Sequence, residues 1–191
     1  MRSFARALAL AVLTLALVAC VSPPAPKYQA AIANTEFLLK GQSKLAVGSF
    51  VAAKGVSNQA LGVRGSELKG GGSDGTFSSY LQDAVTTELQ TSARLDATSD
   101  LRLSGVLTHN ELSSGMATGT AIVGAEFALT RNNQVCFKKT LLAEHHWDSS
   151  FIGAVAIPAA FNNYPTAVQK LLGELFADPD FIAAARAPPR P

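Results

Sequence analysis

Thr118-Gly119-Thr120-Ala121-Ile122-Val123-Gly124-Ala125-Glu126-Phe127-Ala128-Leu129-Thr130 is the stretch from which the fold can be read. Ala121, Val123, Ala125, Phe127 and Leu129 fall on one face, while Thr118, Thr120, Glu126 and Thr130 oppose them. A period of two over this length predicts a half-buried β-strand. Upstream, Leu101, Leu103 and Leu107 share one face of another strand. Downstream, Asn132-Asn133 reads as a tight turn, because Asn tolerates positive φ. A further strand then runs from about Gln134 to Trp147, with Val135, Phe137, Leu141, Ala143 and Trp147 on one face and Cys136 on the other.

Outside this block, Lys44 to Ala53 reads as a first strand through Leu45, Val47, Phe50 and Val51. Ser57 to Thr76, with Gly70-Gly71-Gly72, reads as a mobile loop. Phe77, Leu81, Ala84, Val85, Glu88, Leu89 and Ser92, with Tyr80 beside them, trace a helix that Thr76 or Asp74 caps. Phe161, Tyr164, Val168, Leu171, Leu172, Leu175 and Phe176 trace a last helix. In it Pro158 suits a first turn, Pro165 marks a kink or a restart, and Asp178-Pro179-Asp180 is a stop. The order β-α-β-β-β-α predicts an α+β two-layer sandwich, a mostly antiparallel sheet of about four strands covered by two helices. One domain over 36–185 follows, with a tail over 186–191 that frays.

The N-terminus carries a different message. Arg2 and Arg6 precede Ala7–Val18, twelve residues that are apolar apart from Thr14, and Ala19 and Cys20 follow. A basic start, a short apolar core and small residues before a cut describe a secretory signal. The run is too short for a membrane span, which needs about twenty apolar residues, and Ser22, Pro23, Pro24 and Pro26 end it. Leu17-Val18-Ala19-Cys20 resembles the bacterial lipobox. The resemblance implies cleavage before Cys20, a diacylglycerol on its thiol and a further acyl chain, such as palmitate, on its amine. Val21 in place of Asp at the next position implies outer-membrane sorting, on the periplasmic face. Residues 20–35 then read as the lipidated cysteine and a Pro-rich tether that lifts the domain off the membrane.

Of 191 residues, 172 remain after a cut behind residue 19, and of 16 basic residues Arg2 and Arg6 leave with the signal. The balance of 14 basic against 14 acidic side chains gives no electrostatic argument for nucleic acid. With Cys20 acylated, Cys136 is a lone thiol in an oxidising compartment, read first as a small buried apolar residue and second as a reactive group.

The mature chain also resembles a family of small lipoproteins of Gram-negative bacteria over most of 36–185. The matching stretches are Lys44–Phe50, Tyr80–Ala84, Leu103–Leu107, Trp147–Ala160 and Leu171–Phe181. In its element order and tail it is more distantly similar to YajG-type lipoproteins and to the auxiliary lipoproteins of envelope ABC transport systems. These resemblances imply an accessory or binding role in the cell envelope, with no catalytic residues and no cofactor to carry over. Alternatives are a structural lipoprotein that contacts peptidoglycan or self-associates, and a cell-wall or lipid hydrolase.

Three stretches are candidates for chemistry. Glu144-His145-His146-Trp147-Asp148-Ser149-Ser150 is the densest polar cluster. Neighbours on a strand point to opposite faces, so His145 and His146 do not converge and no metal site is expected. Ser149 and Ser150 lack the Gly-x-Ser-x-Gly elbow that presents a nucleophile. Gly70 to Gly75 lacks the Gly-Lys-Ser/Thr ending of a phosphate loop. Phe151 to Phe161 has eleven residues without a charged or hydrogen-bonding side chain. It reads as a buried loop leading into the last helix, or as an apolar lip in which Phe151, Ile152, Val155, Ile157 and Phe161 bind an envelope protein, lipid or apolar ligand.

Overall fold

A computed structural model describes residues 22–40 and 43–186. The signal segment, Cys20, Val21 and the tail after Arg186 lie outside the described residues. The elements are α1 (Ile32–Lys40), β1 (Ala46–Ala52), β2 (Ala60–Val63), β3 (Ser66–Lys69), α2 (Phe77–Thr91), β4 (Leu101–Ser114), β5 (Thr118–Arg131), β6 (Gln134–Asp148), α3 (Gly153–Ala177) and α4 (Pro179–Arg186). One sheet has the order β1-β4-β5-β6, and β2 and β3 form a separate hairpin. β4, β5 and β6 are antiparallel, whereas β1 joins β4 in parallel. A parallel pair needs a long crossover, and the segment that contains α2 supplies it. The architecture is the expected α+β two-layer sandwich, with helices on one sheet face.

The alternation that predicts the sheet is the alternation of burial. Leu101, Leu103, Leu107, Ala121, Val123, Ala125, Phe127 and Leu129 are all buried. They meet Leu81, Ala84, Val85 and Leu89 of α2 and Val168, Leu171, Leu172 and Leu175 of α3 in one continuous core. Each fully buried Leu or Phe contributes about 1.5–3 kcal/mol. Asn132 and Asn133 turn with φ of 48° and 66°, as expected for this pair.

Two register shifts redirect side chains. Between Leu107 and His109 the pairing of β4 slips, so that Asn110 and Leu112 face inward. Between Leu129 and Thr130 the partner jumps from Phe137 to Val135. Cys136 is the extra residue of this bulge. Val135 is therefore displaced from the inner face where alternation puts it and is 61% exposed. Cys136 packs against the core instead of facing away from it, and its thiol donates to the Leu129 carbonyl at 3.3 Å.

Other expectations change more. The Ser57–Thr76 segment is not a mobile loop: it contains β2 and β3, and Gly70, Gly71 and Gly72 are packing positions. A Cβ on Gly70 would lie 2.5 Å from the Gly75 carbonyl oxygen, and one on Gly72 would lie 2.2 Å from Tyr80 N. Thr76 caps α2 by accepting from the Ser79 N–H at 3.1 Å. The last helix starts at Gly153, so Pro158 lies inside it rather than in its first turn, as does Pro165. Apolar residues on either side of Pro158 continue one buried stripe, and that packing overrides the loss of its N–H. Asp178 ends α3 as expected, and α4 packs back through Phe181.

The segment expected to be a tether belongs to the body. Pro24 bridges Lys69 in parallel. The Lys69 N–H donates to the Pro23 carbonyl and the Ala25 N–H to the Lys69 carbonyl, both at 2.9 Å. Ala25, Tyr28 and Asn34 are buried, and α1 follows directly.

Candidate functional site

Besides the backbone bonds to Lys69, one carboxylate gathers the ties that hold residues 22–35 down. Glu88, fully buried in the apolar stripe of α2, accepts at Oε1 from Tyr28 OH at 2.6 Å, from the Ala31 N–H at 3.0 Å and from Asn34 Nδ2 at 2.9 Å. A buried polar group needs hydrogen-bond partners; three donors converge on Oε1, while Oε2 is buried without a partner among the described residues. Burial, and then the adjacent Glu88 carboxylate, pushes the Tyr28 phenol well above its ordinary pKa. Tyr80 donates to the Pro26 carbonyl at 2.8 Å and stands edge-on to Tyr28 at 6.2 Å. Asn34 Nδ2 also donates to the Gln169 carbonyl at 3.0 Å, which ties the segment to α3.

At one end of the molecule three turns meet. The Arg64 guanidinium, on the β2–β3 turn, donates from Nε to the Ser114 carbonyl at 2.8 Å, from Nη2 to the Gly115 carbonyl at 2.6 Å and from Nη1 to the Phe151 carbonyl at 3.1 Å. The Ser149 N–H donates to the Ala117 carbonyl at 2.7 Å, and the Ser114 and Ser149 hydroxyls share a hydrogen bond of 2.9 Å. These ties bring the β4–β5 turn beside the start of α3. Met116 on that turn is 77% exposed, and Phe151, Ile152 and Val155 are 73%, 49% and 56% exposed.

The apolar stretch is thus divided. Phe151, Ile152 and Val155 form an exposed lip, Ile157 is half-buried against the core, and Phe161 is buried. Phe161 leaves the expected surface because it lies on the inward stripe of α3, with Ala156 and Ala160. An open groove runs beside the lip between Pro23, Pro24, Pro26 and Ser66 on one side and Ile157, Pro158, Phe161 and Asn162 on the other. Met116 and Arg64 were missed in the sequence because both lie in turns distant from residue 151 in the chain.

The polar cluster separates as strand geometry requires. His145 Nε2 bonds Asn163 Oδ1 of α3 at 2.9 Å. His146 faces the other side, with Nδ1 3.1 Å from Thr120 Oγ1 and Nε2 3.4 Å from Glu144. Ser149 is occupied by Ser114, and Ser150 Oγ accepts from the Ile152 N–H at 3.1 Å. Both hydroxyls shape the turn into α3. Among the described residues no group of three or more His, Cys, Asp or Glu side chains is placed to hold a metal ion. Also among them, no helix is long and apolar enough to cross a membrane.

No protein-family model matches the chain, and no curated protein is similar to it at a significant level. Among solved structures, it is similar to protein XCC0632 of Xanthomonas campestris, of the DUF330 family. The TM-score is 0.54 at 21% identity, over 81% of this chain and 91% of that one. That likeness shows a shared fold. A Caulobacter crescentus protein described as a "putative lipoprotein" overlaps more loosely, with a TM-score of 0.45 at 12% identity over 79% of this chain and 97% of that one.

Proposed function

We propose that the chain is a lipid-anchored protein of the cell envelope, cut before Cys20, acylated there and sorted to the outer membrane, with a non-catalytic binding or accessory role. The observation that carries this reading is Leu17-Val18-Ala19-Cys20 behind the Ala7–Val18 apolar run. Two or more acyl chains anchor a protein stably where one does so marginally. Val21, in place of the Asp that retains lipoproteins at the inner membrane, supports the outer membrane. The non-catalytic role is supported by the separation of His145 from His146 and by the structural use of Ser149 and Ser150. The likeness in element order to the auxiliary lipoproteins of ABC transport systems supports an accessory role, and the exposed lip at Phe151, Ile152 and Val155 is its binding surface.

The test is expression in a Gram-negative host with mass spectrometry of the N-terminal peptide. The reading predicts a mature chain that begins at Cys20 and carries diacylglycerol and an amide-linked acyl chain. Cys20→Ser should accumulate as precursor and leave the detergent phase. An unmodified N-terminus, or unchanged processing and partition in the variant, contradicts the reading.

A further inference from the structure

We propose that the surface met by the exposed lip is the lipid bilayer itself, so that Met116, Phe151, Ile152 and Val155 dip into the membrane beside the anchor. The inference rests on acylation of Cys20 and names what that binding surface touches. Its ground is where the described chain begins. Pro23 and Ala25 are hydrogen-bonded to Lys69, and Pro24 pairs with Lys69 in parallel. In a parallel pair the two chains run the same way. From Pro24 back to Ser22, the described chain therefore runs along β3 in the direction of Ser66, the end of β3 that joins the Arg64–Gly65 turn. Arg64 is the residue whose guanidinium holds the Ser114, Gly115 and Phe151 carbonyls. Pro23 and Ser66 line one groove with Ile157 and Pro158, which follow the lip on α3.

Cys20 precedes Ser22 by two residues. Two residues of extended chain span at most about 7 Å. So short a reach keeps this end of the body within about 7 Å of the acylated residue. The apolar side chains exposed at that end are thus carried to the bilayer by the anchor. The charged side chain that ties their turns together, Arg64, is a cation, which suits lipid phosphates. The lip occupies the turn that follows the 14-residue strand β4 and the start of α3, so it is a cluster of loop tips at the bilayer surface and not a span.

The experiment uses the full lipidated chain, reconstituted into vesicles of phosphatidylethanolamine and phosphatidylglycerol with or without phosphatidylcholine brominated in its acyl chains. Trp147 is the single tryptophan of the chain. In a Trp147→Phe background, Phe151→Trp reports on the lip. Val135→Trp, at the other end of β6 and about 40 Å away at 3.3 Å per residue, serves as the reference. Both native positions are exposed, so neither replacement disturbs packing. The emission from position 151 should shift to the blue and fall about twofold with the brominated lipid as the ring enters the headgroup–acyl boundary, and that from position 135 should not change. Equal emission from position 151 in both vesicles, with mass spectrometry showing Cys20 acylated, overturns the inference and leaves the lipoprotein reading standing. An unacylated Cys20 overturns both. A blue-shifted, unquenched signal that depends on protein concentration would assign the lip to a second copy or a protein partner and would also overturn the inference.

Discussion

Replacing Glu88 with alanine should release the N-terminal segment from the body. Glu88 Oε1 is the shared acceptor for Tyr28 OH, the Ala31 N–H and Asn34 Nδ2. Asn34 keeps a second acceptor in the Gln169 carbonyl, so two donors lose their listener outright. Leaving a buried donor unsatisfied costs about 1–3 kcal/mol. The variant also sheds a buried carboxylate whose Oε2 has no partner among the described residues, which offsets part of the loss. A net weakening of about 3 kcal/mol results for residues 23–38, roughly a hundredfold in the local opening equilibrium at 1.4 kcal/mol per tenfold. The assay is amide hydrogen exchange. The Ala25, Ala31 and Leu38 amides should exchange about a hundred times faster, while those of β5 change less. Glu88→Gln keeps the acceptor but puts an NH2 where Oε2 now finds no partner, so its effect should be intermediate. Wild-type protection at Ala31 in Glu88→Ala would refute the claim that this carboxylate clamps the segment.

Other consequences follow from particular geometries. Ala93 sits at φ 55° directly after α2, with its N–H on the Gln90 carbonyl and the Arg94 N–H on the Leu89 carbonyl, a closing motif that favours glycine. Ala93→Gly should raise stability by about 1 kcal/mol, or about 2–4 °C in Tm by calorimetry; a lower Tm would contradict this. Gly72→Ala should lower stability by about 1–3 kcal/mol, because its Cβ would strike the backbone at the start of α2; an unchanged urea midpoint would refute the close packing. Burial raises the pKa of Asp178, but the Lys139 ammonium at 2.6 Å and the Phe181 and Asp180 N–H groups outweigh it and hold the carboxyl below its ordinary value. A depressed folded pKa contributes stability that is present above the unfolded value of about 3.9 and is lost as pH falls through the folded one. Asp178→Asn should therefore be less stable than wild type at pH near 7, and the gap should close below about pH 4. A gap that stays constant down to acid pH would contradict the assignment.

How far the sequence determines this molecule depends on the kind of information each part uses. The three long strands and the stripes of α2 and α3 were legible because one face of each is buried against one core, and burial writes itself as period two or period three to four. The parallel placement of β1 was not legible, since alternation says nothing about direction. β2 and β3 were hidden because each has four residues among glycines and serines. The bulge at Cys136 moved Val135 to the other face, and a single inserted residue leaves no mark in composition. The docking of residues 22–35 was least visible of all. It rests on backbone bonds to Lys69 and on one carboxylate, and a Ser-Pro-Pro-Ala-Pro run looks the same whether tethered or clamped. The lone signal was Glu88, a charge in an otherwise apolar stripe. Of the surface expected from Phe151, Ile152, Val155, Ile157 and Phe161, the last two are drawn toward the core, because they fall on the side of the helix that faces the sheet.

Neutron reflectometry of the lipidated chain on a supported bilayer measures the separation between domain and membrane directly. With residues 22–35 clamped by Glu88 and Lys69, protein density should begin at the headgroup layer with no water between. A hydrated gap of about 20 Å, the mean reach of fifteen flexible residues at about 5–6 Å × √n, would contradict the clamped anchor and the membrane-facing lip together.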